Sequence, residues 1–431
     1  MATVFKIIPT VQQYDWGKIG KTSKVAQFAT SSKLPGFEID EAAPYAELWM
    51  GTHPKSPSLV QSSNVVLSDY LADHPELIGR AVADKFDAGN GNLPFLFKVL
   101  SIHKALSIQS HPDKTTAEKL HAEHPDIYKD PNHKPEMALA ITTFKALCGF
   151  RPLPDIAAVL ESTPELRALI PASAVEQFLS AAKSSTPQGA QEKDALKQLF
   201  SALMNADISD VKKQLDAIIR RYRAGETKEG EDGDLVKLVM KLNDQFPGDI
   251  GIFCAFVLNY VTLHPGEAIF LGAGEPHAYI SGECIECMAN SDNVIRAGLT
   301  PKLRDISALV SGLTYIAGPP SKHVVHTRNF SPSSKASGDV SPKLYDPPIP
   351  EFSVVQTKVS PRRNEFHRAI RGPSVVVVTD GNGQITWGED TLEVMELALG
   401  DVFFIGANTD IKLDNTGATE FVVYRAFVEA D

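Results

Sequence analysis

Cysteine is scarce: the 431-residue chain has four (Cys148, Cys254, Cys284 and Cys287), too few and too unevenly spaced for a disulfide framework at this length. Reduced thiols are expected. No apolar run approaches the roughly 20 residues that a membrane-spanning helix needs, and a composition of 43% hydrophobic and 22% charged residues is that of a soluble globular protein. No membrane partner is expected. The opening residues, MATVFKIIPTVQQYDW, lack the basic segment, long apolar core and small-residue cleavage site of a secretory leader, which points to the cytoplasm. Excess positive charge is also missing. A formal net charge of -11 gives no electrostatic footprint for nucleic acid, so an anionic ligand would have to be held by a few placed Lys and Arg side chains.

What is present is a chain long enough for two or three packed units. Residues 1–150 carry short apolar runs separated by Gly, Pro, Asn and Asp, a strand-rich pattern. From Pro154 to Phe246 the period changes. Ile208, Val211, Leu215, Ile218, Ile219 and Tyr222 recur at steps of three and four, as an amphipathic helix requires. Ser173 with Glu176 has the spacing of a capping box, and residues 183–192 and 224–233 read as polar connections. Strand character returns over 252–270 and 277–288, and a Ser- and Pro-rich stretch at 331–350 leads into a last β unit.

One octapeptide pattern occurs twice. Gly266-Glu267-Ala268-Ile269-Phe270-Leu271-Gly272-Ala273 and Gly400-Asp401-Val402-Phe403-Phe404-Ile405-Gly406-Ala407 share glycine, acid, any residue, apolar, Phe, aliphatic, Gly, Ala. They read as equivalent strands of two β-barrels of the cupin jelly-roll kind. The expected fold is therefore mainly β, with two cupin-like barrels and an inserted α-helical domain. The units are 1–152 and 251–330 for a first, catalytic barrel, 153–250 for the helical insertion, and 331–431 for a second barrel without metal.

Possible ligands concentrate in three segments. In Ala105-Leu106-Ser107-Ile108-Gln109-Ser110-His111-Pro112, period-two alternation puts Ser107, Gln109 and His111 on one face. Lys134 and Glu136 share a face if the chain is extended after Pro135. His277 lies eleven residues past Gly266, whereas Ile411 is the residue eleven past Gly400, so only the first barrel could carry a ligand there. Gln109, His111, Glu136 and His277 form a mixed oxygen and nitrogen set suited to Zn2+ or another divalent ion, with room for a small anionic substrate.

Five of the twelve histidines (His103, His111, His121, His124 and His133) fall between 103 and 133. His121 and His124 are expected as solvated helix residues and His103 in a turn. Cys284 and Cys287 form a CxxC without a second pair, and on a strand they point to opposite faces, which argues against a zinc knuckle. The run from Asp292 to Lys302 reads as a Gly- and Pro-bounded loop offering Arg296 and Lys302 to a phosphate or oxyanion.

Several of these segments together are similar to the type I mannose-6-phosphate isomerase (phosphomannose isomerase) family. They include QYDWG at 13–17, PYAELWMGTHP at 44–54, LPFLFKVL at 93–100, SIQSHP at 107–112, NHKPEMA at 132–138, LCGFRP at 147–152, PHAY at 276–279, ECMA at 286–289, SDN at 291–293 and RAGLTPK at 296–302. The resemblance implies one zinc held by Gln109, His111, Glu136 and His277, an active-site arginine at Arg296, and interconversion of mannose 6-phosphate and fructose 6-phosphate, which feeds GDP-mannose synthesis. Such an aldose-ketose shift moves one proton between adjacent carbons, and a bound cation can stabilise the enediolate charge. Asp292, Glu286 and Lys134 are the candidate bases, with Lys98, Ser107, Tyr279, Lys302 and Trp16 expected around a hexose phosphate. A monomer is expected. The competing readings are a non-catalytic sugar-phosphate sensor on the same scaffold and a cupin oxygenase requiring redox-active iron.

Overall fold

Short strands, turned by Gly and Pro, make up both ends of the chain and flank a helical middle. The computed structural model describes residues 2–184, 188–228, 230–330, 341–388 and 391–430. A 10-stranded antiparallel sheet carries the candidate ligands. Its central strand, His277–Ala289, pairs with Phe144–Phe150 and Ile108–Ser110 through its first residues and with Phe95–Ile102 and Glu136–Ala140 through its last. One long strand thus touches each segment expected to supply a ligand. Ile295–Gly298 extends the sheet beside Ile108–Ser110, placing Arg296 opposite Gln109.

An 8-stranded sheet forms the other end, and in it Val4–Ile8 lies between Val402–Ile405 and Leu59–Val60. The first strand of the chain is therefore hydrogen-bonded to its last block. The apolar cluster beneath it joins Phe5, Phe95, Phe97 and Ile285 to Val375, Phe404 and Tyr424, so the two strand-rich regions share a core.

The repeated octapeptides fold alike. Their strands, Ala268–Leu271 and Val402–Ile405, begin two residues after Gly266 and Gly400. These glycines have φ of +90° and +84°, where a Cβ would be strained. In both turns the acid accepts a backbone N–H from three residues earlier: His264 N to Glu267 Oε2 and Ala398 N to Asp401 Oδ2, each 2.8 Å. Eleven residues past each glycine a new strand begins, at His277 and at Ile411.

The helical middle contains Leu153–Ser162, Ala172–Ala181, Ala190–Met204, Ile208–Arg223 and Gly233–Gln245. Val211, Leu215, Ile218, Ile219 and Tyr222 are buried as their period requires, whereas Ile208, at the first turn, is 75% exposed. Asp207 caps that helix through Ser209 N. Arg221 ties the bundle together, with bidentate contacts to both Glu165 and Glu231. The bundle core runs on into Ile108, Leu147, Phe150 and Ala278 of the site-bearing sheet.

Four expectations need correction. The first 150 residues form, besides the helix expected around His121, three more, Lys24–Ser31, Leu67–Asp73 and Arg80–Phe86; Ser23 caps the first of these by accepting Ala26 N, and Asp113 caps the expected Lys114–Glu123 by accepting Thr116 N. Ser173 is no N-cap, because Pro171 precedes that helix and fixes its start. The stretch 252–270 opens with a helical turn, Gly251–Cys254, before Leu258–Leu263. Within 292–302, Ile295–Gly298 is a strand, recruited by pairing with Ile108–Ser110. Residues 331–340 of the Ser- and Pro-rich stretch lie outside the described residues.

Candidate metal centre and adjoining cavity

Strand pairing brings the expected ligands together, with Gln109 directly opposite His277. Ligand atoms of His111, Glu136 and His277 all lie within 4.8 Å of one another, and all three residues are buried. His111 Nδ1 is 2.7 Å from the Asn293 carbonyl and His277 Nδ1 is 2.9 Å from the Glu275 carbonyl. A carbonyl can only accept, so each ring carries its proton on Nδ1 and leaves a bare lone pair on Nε2. Both Nε2 atoms point at Glu136: His111 Nε2 is 3.4 Å from Oε1 and His277 Nε2 is 3.2 Å from Oε2. The two Nε2 atoms and Glu136 Oε2 are buried without a hydrogen-bond partner. Lone pairs facing lone pairs in a buried pocket repel unless a cation lies among them. The chemistry of the donor set therefore fits a divalent metal.

Electrostatics agree. Burial disfavours the Glu136 carboxylate, yet the Lys134 ammonium holds it well below the usual carboxylate range; Lys134 Nζ is 2.9 Å from Oε1. Burial pushes His111 down to about 4, so the neutral, ligating form prevails at neutral pH. Gln109 is half-buried and sits in register between His277 and Arg296.

His111 is braced from behind. Asn293, whose carbonyl orients the ring, donates its amide to the Asp130 and Asn132 carbonyls. Asp130 in turn accepts from the Ser291 hydroxyl at 2.7 Å and Asp292 N at 2.8 Å. Asp130 carried no sequence signal, since its role depends on contacts 161 to 163 residues away along the chain.

The candidate bases differ in setting. Glu286 and Glu47 flank the ammonium of Lys98, with Oε2 atoms at 3.1 and 3.5 Å. Burial alone would lower the Lys98 pKa, but the two carboxylates hold it well above the ordinary value, and the Glu286 carboxyl is raised by its own burial. Glu47 was not anticipated, although it lies in the ELWM strand beside Lys98. Asp292 is held by Lys55 at 2.8 Å and lies 3.6 Å from His53. Lys134 is engaged with Glu136. Tyr279 is fully buried, and its phenol is pushed well up by burial.

Beside this pocket lies a cavity of about 290 Å³ lined by Trp16, Glu47, Lys104, Ser107, Arg296 and Lys302 among others. Burial lowers the Arg296 guanidinium somewhat, which leaves it cationic at neutral pH. Trp16, Ser107, Arg296 and Lys302 thus share one wall-bounded space, while Lys98, Lys134, Glu286, Asp292 and Tyr279 lie outside that lining. His121 accepts no solvent-only role: its Nδ1 meets the Tyr128 carbonyl at 2.7 Å. His103 is exposed, as expected of a turn. Cys284 and Cys287 are buried in different apolar clusters.

Fold and site define a class: a β-rich protein with a helical insertion and a buried metal-type donor set beside a cation-lined cavity. Comparison with known proteins gives the family. Residues 4–153, 169–258 and 343–390 match phosphomannose isomerase type I as, respectively, its catalytic domain, helical insertion domain and C-terminal region. A mannose-6-phosphate isomerase from Cryptococcus neoformans is 49% identical over 443 residues, covering 99% of each chain, and one from Saccharomyces cerevisiae is 44% identical over 433 residues with the same coverage. The apo crystal structure of the Salmonella typhimurium mannose 6-phosphate isomerase superposes with a TM-score of 0.79 at 31% identity, covering 100% of both chains. A zinc-bound mannose 6-phosphate isomerase structure superposes at 0.78, covering 99% of this chain and 100% of that one. The chain belongs to the type I phosphomannose isomerase family.

Proposed function

We propose that this protein interconverts D-mannose 6-phosphate and D-fructose 6-phosphate with one zinc per chain, supplying mannose 6-phosphate for GDP-mannose synthesis in the cytoplasm. The observation that carries this reading is the convergence of two Nε2 lone pairs and a carboxylate in a buried pocket, next to a cavity whose cations suit a phosphate. His111, Glu136 and His277 would hold the ion, with Gln109 as the fourth ligand. When bound, zinc supplies Lewis acidity at the sugar oxygens, where an enediolate gathers negative charge.

The chain's own residues do the rest. Arg296 and Lys302 neutralise substrate anion charge across the cavity, Ser107 donates a hydrogen bond, and Trp16 gives the sugar an apolar wall. All three candidate bases stand outside the cavity lining; of them, the Glu286 carboxyl is raised by burial and so holds a proton more readily than an ordinary carboxyl. Lys98 holds that carboxyl in place and Lys134 orients Glu136. Asp292, fixed by Lys55 and by Asp130, keeps the Asn293 carbonyl on His111. The two repeated turns support two jelly-roll barrels of the cupin kind: 1–152 with 251–330, and 331–431, with 153–250 inserted. In this division Val4–Ile8 crosses from the first unit to the sheet of the last. The working unit is a monomer.

The test is metal analysis of purified protein with a coupled assay on mannose 6-phosphate, before chelation, after it, and after zinc is restored. Turnover that disappears with the metal and returns with zinc is expected. Metal-loaded protein that binds the sugar phosphate without turning it over would favour a sensor, and oxygen consumption would favour an oxygenase.

A further inference from the structure

The cavity beside the candidate metal centre has a third cation, Lys104, in addition to Arg296 and Lys302. It stands on the turn between Phe95–Ile102 and Ile108–Ser110, where His103 N and Lys104 N both donate to the Trp16 carbonyl at 2.9 and 3.1 Å. Its ammonium lies 4.7 Å from the centre of the Phe246 ring and 3.7 Å from Asp15 Oδ2. Asp15 also lines the cavity, but its side chain is 84% exposed against 33% for Lys104. Such a long, solvated contact holds a lysine only weakly, so an anion entering the cavity can replace Asp15 as the counter-ion. Phe246 keeps the ammonium directed meanwhile, through a cation–π contact on its apolar flank.

Phe246 belongs to the helical insertion, as the C-terminal cap of Gly233–Gln245. The same connection braces both walls of the cavity. Gln245 Oε1 accepts Ala105 N at 3.0 Å on the Lys104 side. On the Arg296–Lys302 side, Asp249 accepts Leu299 N at 2.7 Å and Thr300 N at 3.1 Å. Gly298 and Gly251 pack so closely there that a Cβ on Gly298 would lie 2.5 Å from the Gly251 Cα.

We propose that Lys104 is a further phosphate-binding residue of this site, and that the helical insertion positions it through Phe246 and Gln245. The proposal rests on the sugar-phosphate reading above. Three cations then face the incoming phosphate, and the insertion becomes a determinant of selectivity for phosphorylated over free sugars.

The experiment uses the full, zinc-loaded chain and two probes: steady-state kinetics on mannose 6-phosphate, and inorganic phosphate titrated calorimetrically. Lys104→Met should raise KM about tenfold, the loss of one charge-assisted hydrogen bond, while kcat changes less than about twofold. It should weaken inorganic phosphate binding by a similar factor, and Lys104→Arg should restore most of both. Phe246→Ala, which keeps the charge and loses its support, should raise KM by about two- to fivefold. Asp15→Asn, which removes the competing counter-ion, should lower KM. Unchanged KM and phosphate binding in Lys104→Met would overturn the proposal, as would a fall in kcat and melting temperature that Lys104→Arg repairs no better than methionine. If wild-type protein shows no turnover, the function above fails, and the phosphate titration of wild type against Lys104→Met still decides the role of Lys104.

Discussion

Lys98→Met tests the electrostatics behind the candidate site with a change that keeps most of the side-chain volume. The Lys98 side chain is 8% exposed, and its ammonium lies over the Trp49 ring at 4.9 Å with Glu286 and Glu47 oxygens at 3.1 and 3.5 Å. Methionine can fill the same channel against Trp49, so lost packing is small. The main effect is a pair of buried carboxylates without their cation, which costs about 3–5 kcal/mol when a partner is removed from a buried pair. Glu286 can escape that cost by binding a proton, and its carboxyl is already raised by burial. A carboxyl whose folded pKa lies above its unfolded value of about 4.3 adds stability below that value and loses it as pH rises through the folded pKa. The stability gap between wild type and Lys98→Met should therefore be small near pH 5 and widest near pH 8. Urea unfolding of the zinc-loaded chain at a series of pH values, followed by tryptophan fluorescence, reads the gap as a difference in midpoint. A gap that does not vary with pH, or one below about 1 kcal/mol at pH 8, would refute the assignment of a buried, charge-compensated triad.

Arg296→Met should lower kcat/KM for mannose 6-phosphate by about a hundredfold or more, with zinc content by metal analysis unchanged, because Arg296 lines the adjoining cavity and is not itself one of the buried donors. Asn259→Ala should destabilise the chain by about 1–3 kcal/mol in thermal unfolding, since the Asn259 amide lies 3.0–3.3 Å from the Cys148, Gly149, Phe150 and Gly318 carbonyls in the buried interior. His367, fully buried between Thr357 and Arg425, is held well below its ordinary pKa by burial and by Arg425. Its stabilising effect is present above the unfolded value of about 6.5 and is lost as pH falls below it, so His367→Gln should flatten the decline in melting temperature on the acid side of pH 6.5.

The parts of the fold that sequence conveyed were those encoded over short spans. The three- and four-residue recurrence from Val211 to Tyr222 became a helix with those residues buried, and the two Gly-acid octapeptides became strands with the same bounds, the same positive-φ glycine and the same side-chain-capped turn. Alternation also placed Lys134 and Glu136 on one side, where they pair. What was missed depends on distant partners. Ile295–Gly298 looks like a loop because Gly298 and Pro301 punctuate it, and pairing with Ile108–Ser110 makes it a strand. Glu47 and Asp130 look like surface acids, and they acquire meaning only when Lys98 and Asn293 are folded against them. Lys104 was passed over for the same reason: its orienting ring lies 142 residues away, on the far side of the helical insertion.

That dependence explains why the repeated strand alone does not make a site. Both copies provide an acid-capped turn and a new strand eleven residues on, yet a ligand pocket requires what the turn does not encode. In the first copy the new strand begins with His277, whose Nδ1–H is taken by the Glu275 carbonyl and whose Nε2 faces Glu136. In the second it begins with Ile411, packed into an apolar cluster with Ile385, Trp387 and Leu413. The same backbone device thus serves a polar pocket in one place and a hydrophobic core in the other. The difference lies in side chains that the neighbouring strands bring to meet it. Placing a histidine at position 411 should therefore create no metal site, because Ile385, Trp387 and Leu413 around it offer no donor and His367, directly opposite, is engaged through both ring nitrogens by Thr357 and Arg425; metal analysis of Ile411→His showing a second bound zinc per chain would contradict this account.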